Sequence, residues 1–177
     1  MVSGVDENCD EATTTAARVC EIATRKGIAV RDRLGAHPDR ATVLIAADTM
    51  LDMDEVSYGK PHSPDLARQR LQAMRGSSGV LHTGHYVGVS PVGGPWRELV
   101  EDAATTVWFA DMTDAEIEAY LATGEPLEVA GSFTIDGLGG PFIQGIDGDP
   151  HNVVGLSLPL LRLMLARLGF AWTDLWL

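Results

Sequence analysis

The 177-residue chain carries 13 Lys and Arg against 25 Asp and Glu, a formal net charge of -12. That balance repels nucleic-acid polymers and anionic membrane surfaces, so neither is an expected partner. It still admits a small phosphorylated ligand where a local cation, a metal or backbone N–H groups offset the carboxylates. Hydrophobic residues at 45% and charged residues at 21% are ordinary globular usage, and the length suits one domain over residues 1–177 with a core of its own.

Met1 to Glu11 holds acids and no apolar run, so it does not read as a signal peptide, and no stretch approaches the ~18 apolar residues of a membrane span. The two cysteines, Cys9 and Cys20, lie too far apart on a helical segment to bridge, and read as reduced thiols of a cytoplasmic protein. Ala16, Val19, Cys20, Ala23 and Ile28 recur at helical spacing and predict a helix over Thr13 to Leu34. Gly35 to Arg40 is a loop. The apolar run Val43-Leu44-Ile45-Ala46-Ala47 leading to Asp48 predicts a short, fully buried strand. Pro64 to Met74 reads as a helix with proline in its first turn and Gly76 past its end. Val80 to Val89 and Glu98 to Phe109, joined by the Gly- and Pro-rich stretch from Ser90 to Pro95, predict a long hairpin. Thr113 and Glu116 form a capping box that opens a helix to Ala122. Gly131 to Gly148 mixes short strands and turns, and Ser157 to Leu168 is a last helix with Gly169 beyond it. Helices and strands interleave without repeats, which is the pattern of one α/β domain with a mixed sheet.

Asp48 is the sharpest chemical position. An acid directly after a buried apolar strand stands at that strand's C-terminal end, where open α/β sheets bind ligands. There it can act as a general base or hold a metal, or it can cap the following turn. In Gly59-Lys60-Pro61 the glycine permits close backbone approach and Lys60 can meet a phosphate, although the spacing is not that of a Walker A loop. Asp6 and Glu7, followed by Asp10 and Glu11, can share a Mg²⁺ with Asp48 or favour the start of the next helix through its dipole. His82 and His85 fall on opposite faces of a strand, and His37, His62 and His151 are scattered, so a zinc site is not expected. Gly137-Leu138-Gly139-Gly140-Pro141 is a turn that can cradle an anion with its N–H groups. Trp96, Trp108, Trp172 and Trp176 read as core or interface residues rather than a base-stacking platform.

Taken in order, Ser3-Gly4-Val5-Asp6-Glu7, Ala47-Asp48-Thr49, Gly59-Lys60-Pro61, His82-Thr83-Gly84, Thr123-Gly124-Glu125-Pro126, Ala130-Gly131-Ser132-Phe133 and Gly148-Asp149-Pro150-His151-Asn152-Val153-Val154-Gly155-Leu156 resemble the Maf family, in the style of its actinobacterial members. The resemblance implies a Maf/ITPase-like α/β domain, a mixed twisted sheet flanked by helices. It also implies a nucleoside triphosphate pyrophosphatase that uses Mg²⁺ or Mn²⁺ in nucleotide-pool sanitation, with links to septum control. The family's catalytic carboxylate falls on Asp48, its conserved lysine on Lys60, and its N-terminal acid on Asp6 or Glu7. Thr49, Lys60 and Asp136 are then the substrate-binding candidates, and Asp48, Glu7 and Asp6 the metal-holding ones. The implied partners are free nucleoside triphosphates and, as an option, a second copy of the chain. Two departures stand out. The family's Ser-x-Ser-Pro-Arg-Arg turn, with the strand and helix around it, is not in this sequence, which leaves open a displaced start, a truncation or a degenerate member. Asp136 stands where many members carry Gln, so a preferred base does not carry over. The alternative function is a non-catalytic nucleotide-binding or cell-division regulatory protein.

Overall fold

The computed structural model describes residues 3–7, 14–35 and 39–176. Cys9, Asp10, Glu11, Thr13 and His37 lie outside the described residues. The elements run α1 (Thr15–Leu34), β1 (Thr42–Met53), β2 (Val56–Tyr58), α2 (Pro64–Met74), β3 (Ser78–Ser90), β4 (Arg97–Phe109), α3 (Asp114–Ala122), β5 (Ile143–Asp147), α4 (Pro150–Val154) and α5 (Leu158–Arg167), with short 3₁₀ turns between several of them. The strands form one sheet in the order β2-β1-β3-β4-β5. The α/β class holds, and both edges of the sheet are antiparallel pairs. β1 pairs β2 antiparallel, with Leu51 opposite Tyr58, and β4 pairs β5 antiparallel, with Val107 opposite Ile146. The reason is chain economy: β2 follows β1 after two residues, too short a link for a parallel crossover. No described helix is long and apolar enough to cross a membrane.

Local chemistry accounts for the element boundaries. Thr14, Ser63, Thr113, Asp149 and Ser157 each accept a backbone N–H at the start of a helix, and at Thr113 the reciprocal bond from the Thr113 N–H to Glu116 completes the predicted capping box. The predicted hairpin is present, with both strands longer than expected. The expected buried strand ending at Asp48 is different in the structure: β1 continues through Asp48 to Met53, and only Leu44, Leu51 and Met53 of its residues are buried. One acid does not end a strand when Thr49, Met50 and Leu51 after it suit a pleated backbone and Leu51 and Met53 find a core.

Two compact units divide the chain. The first holds residues 1–48, 83–103 and 156–177. In it Val87 and Val89 pack with Leu161, Met164, Leu165 and Leu168, while Ala23, Val30, Leu44 and Tyr86 form a neighbouring cluster. Gly84 lets β3 meet α1 closely, since a Cβ on it would stand 2.3 Å from the Val19 carbonyl oxygen. His85 is fully buried, its Nε2 accepting from the Ser157 N–H at 2.8 Å, so it is a structural histidine. The second unit holds residues 49–82 and 104–155. Its core joins Leu51, Met53, Met74, Leu81, Val107, Phe109 and Phe133, and a second cluster runs from Ala67 and Leu71 of α2 to Ile117 and Tyr120 of α3. The buried Asn152 of α4 donates to the Leu81 carbonyl at 3.2 Å and to Thr105 Oγ1 at 3.1 Å, which anchors the Asp149–Gly155 segment.

Candidate active site

In the first unit the expected carboxylates converge. Lys26 Nζ donates to Asp48 Oδ1 at 2.6 Å and pairs with Glu7 Oε1 at 2.8 Å. Asp48 is 10% exposed, Lys26 19% and Glu7 57%, so the inner pair is sheltered and the outer acid reaches in from solvent. Burial pulls the Lys26 ammonium toward neutrality, but the hydrogen bonds to Asp48 and then Glu7 outweigh it and hold the pKa above its ordinary value. Of the two N-terminal acids it is Glu7 that reaches Lys26. Asp6 is exposed, and its backbone carbonyl accepts from Arg25 Nη1 at 3.5 Å. A cavity of about 440 Å³ lies beside the triad, lined mainly by apolar residues of α1 and β1 such as Val30, Leu44 and Ala47, with Lys26 on its wall.

Sequence reasoning missed Lys26, and a signal for it existed. Val19, Ile22, Ala23 and Val30 are the buried stripe of α1. Lys26 falls on the same stripe, three residues after Ala23 and four before Val30. A cation at a core-facing helical position requires an acid partner.

In the second unit a cleft of about 230 Å³ collects the other expected residues, Thr49, Lys60 and Asp136, along with Thr134, Ile135 and Gly155. Lys60 is exposed and follows β2, where the Gly59 carbonyl accepts from Arg70 Nη1 at 2.5 Å. Arg70 stacks its guanidinium 5.2 Å from the Tyr58 ring centre, so β2 and α2 together fix the approach to Lys60. Asp136 is exposed on the loop that follows Phe133. The Gly-rich turn after it does cradle an anion, but one supplied by the chain: the Leu138 and Gly139 N–H groups donate to the Glu125 carboxylate, each at 3.1 Å.

The carboxylates fit a hard divalent cation. Glu7 and Asp48 already converge on one positive charge, and Mg²⁺ or Mn²⁺ characteristically takes one or two carboxylates and completes its shell with phosphate oxygens and water. Among the described residues no three His, Cys, Asp or Glu side chains gather to hold a metal, so a metal here depends on substrate oxygens for its remaining ligands. Cys20 is half-buried, and burial pushes its thiol up to about 11, so at neutral pH it is neither a thiolate ligand nor a nucleophile.

Comparison with known proteins establishes the family. The family model described as Maf-like protein matches residues 1–168. A protein of Salinispora tropica named nucleoside triphosphate pyrophosphatase is 51% identical over 99% of this chain and 76% of its own length. Proteins of the same name from Streptomyces coelicolor and Cutibacterium acnes are 47% and 46% identical over 99% of this chain, and the match covers 82% and 83% of their lengths. The chain therefore belongs to the Maf family.

Proposed function

We propose that the chain hydrolyses nucleoside triphosphates to nucleoside monophosphate and pyrophosphate, a cytoplasmic activity that clears nucleotides from the pool. The carrying observation is the convergence of Asp48 and Glu7 on Lys26, in a chain whose full-length relatives bear the name of that activity.

In this reading water attacks the α-phosphorus and pyrophosphate departs. Asp48 accepts the proton of the attacking water, as a general base fixed by its strand. Lys26 orients the Asp48 carboxylate and offsets the like charge of Glu7 beside it. Asp48 and Glu7 would hold a Mg²⁺ or Mn²⁺, which would supply neutralisation of the triphosphate and of the charge developing on the leaving group. In the cleft of the second unit, Lys60 is a point charge and the Thr49 hydroxyl a neutral donor of the kind that phosphate oxygens accept. Asp136 shares a cleft with Lys60 and repels phosphate, so it meets the base end of the nucleotide instead.

The test is pyrophosphate release from a panel of nucleoside triphosphates with Mg²⁺ or Mn²⁺ present. Pyrophosphate and monophosphate in equal amounts are expected. Binding of the same nucleotides without turnover would favour the regulatory reading.

A further inference from the structure

The second unit contains a part-buried contact set that the proposed chemistry does not use. Glu125 opens a 3₁₀ turn, Glu125–Leu127, directly after Gly124 in the left-handed conformation at φ 77°. Its Oε1 accepts from the Tyr120 hydroxyl at 3.0 Å, from the Gly139 N–H at 3.1 Å and from the Thr134 hydroxyl, while Oε2 accepts from the Leu138 N–H at 3.1 Å. Four donors from three separate stretches of chain thus close on one carboxylate, a number that an ionised carboxylate can accept and an amide oxygen cannot. The Thr134 hydroxyl, and after it the backbone N–H groups, hold the Glu125 carboxyl below its usual range.

The loop around Glu125 is tight as well as hydrogen-bonded. A Cβ on Gly139 would stand 2.7 Å from the Thr134 carbonyl oxygen, and one on Gly140 would stand 2.9 Å from the Ile135 carbonyl oxygen. The returning arm of the loop therefore lies directly against the backbone of Thr134 and Ile135. Those residues and Asp136 line the cleft that holds Lys60 and Thr49. Glu125 is not among the lining residues, and its contact with the cleft runs through the loop it grips.

We propose that Glu125 is a positioning residue for nucleotide binding: by gathering the 134–139 loop onto its carboxylate it sets where Ile135 and Asp136 stand, and so governs affinity and base preference rather than the chemical step. This rests on the reading of the cleft as a nucleotide site. In Glu125→Gln an NH₂ group replaces one acceptor oxygen and meets at least one N–H donor head-on, so the loop must shift. Losing a charge-assisted hydrogen bond to the loop raises the dissociation constant by about tenfold.

The experiment measures two quantities on the full chain: binding of a non-hydrolysable α,β-methylene nucleoside triphosphate by calorimetry, and KM and kcat for the natural nucleotides. For Glu125→Gln the expected result is a Kd and KM raised about tenfold, with kcat within about twofold of wild type. Tyr120→Phe removes one of the four donors while keeping the ring, and should raise Kd by a smaller factor in a fully folded protein. In an Asp136→Ala background the effect of Glu125→Gln should shrink, because both act through one loop. A purely structural Glu125 would instead lower the folded fraction and the apparent kcat and leave the Kd of the folded protein unchanged, and that result overturns the proposal. So does a tenfold penalty that persists in full without Asp136. A wild-type chain that neither binds the analogue nor turns over nucleotides would overturn the parent reading of the cleft, and this one with it.

Discussion

At the scale of single residues the account turns on three side chains, Asp48, Lys26 and Glu7. Asp48→Asn keeps the shape and removes the proton acceptor, so turnover should fall by ~10²–10⁴-fold with the fold intact. Pyrophosphate release together with an unchanged melting curve checks this. Lys26→Met leaves two carboxylates facing each other without their shared cation, a loss of about 1–3 kcal/mol of stability at neutral pH measured by urea unfolding. The pH dependence has a definite sign. The Lys26 pKa is raised in the folded state, so its contribution is complete below the ordinary value of 10.5 and disappears as pH rises through the higher folded value. The stability difference between wild type and Lys26→Met should therefore be constant from about pH 7 to 10 and shrink above that. A difference that shrinks already between pH 7 and 9 would contradict the ion triad. Asp48 was legible because an acid after an apolar run is conspicuous. Lys26 showed itself only as a cation on an apolar stripe, because its partners are 19 and 22 residues away in sequence and the folded chain brings them to it.

At the scale of elements, local signals were read well wherever they are local. The capping box at Thr113 and the proline starts of α2 and α5 depend on neighbours three or four residues away, and all three helices begin within a residue or two of where the sequence indicated. β2 and α4, with three and five residues, are too short for periodicity to show them. The length of β1 was misjudged because the alternation of buried residues beyond Asp48 depends on a core assembled from α2, β3, β4 and Phe133. One contact sets the spacing of an entire helix. With the Val19 carbonyl 2.3 Å from where a Cβ of Gly84 would stand, Gly84→Ala must push α1 away from β3. The obstacle is backbone, which cannot rotate aside, so overpacking should cost about 1–3 kcal/mol or more. A urea midpoint unchanged from wild type would mean that α1 does not rest on β3 there. Gly84 had entered the sequence reading only as part of the motif His82-Thr83-Gly84, and its packing role was not visible in the sequence.

At the scale of the whole molecule, the excess of acids disfavours nucleic-acid polymers and anionic membranes and leaves room for a small phosphorylated ligand. Two cations stand at the candidate positions: Lys26 pairs with two acids, and Lys60 lines a cleft together with exposed Asp136. Fold class and family were readable from motifs spread along the chain. The grouping of the candidate residues was not, because Thr49, Lys60 and Asp136 are separated by up to 87 positions and share a cleft only through the packing of the second unit. The central claim is that water attacks the α-phosphorus of a nucleoside triphosphate. Turnover in ¹⁸O-labelled water, followed by mass spectrometry of the products, tests it most directly. The account predicts one ¹⁸O in the nucleoside monophosphate and none in the pyrophosphate. Label in the pyrophosphate, or products of orthophosphate and nucleoside diphosphate, would contradict it.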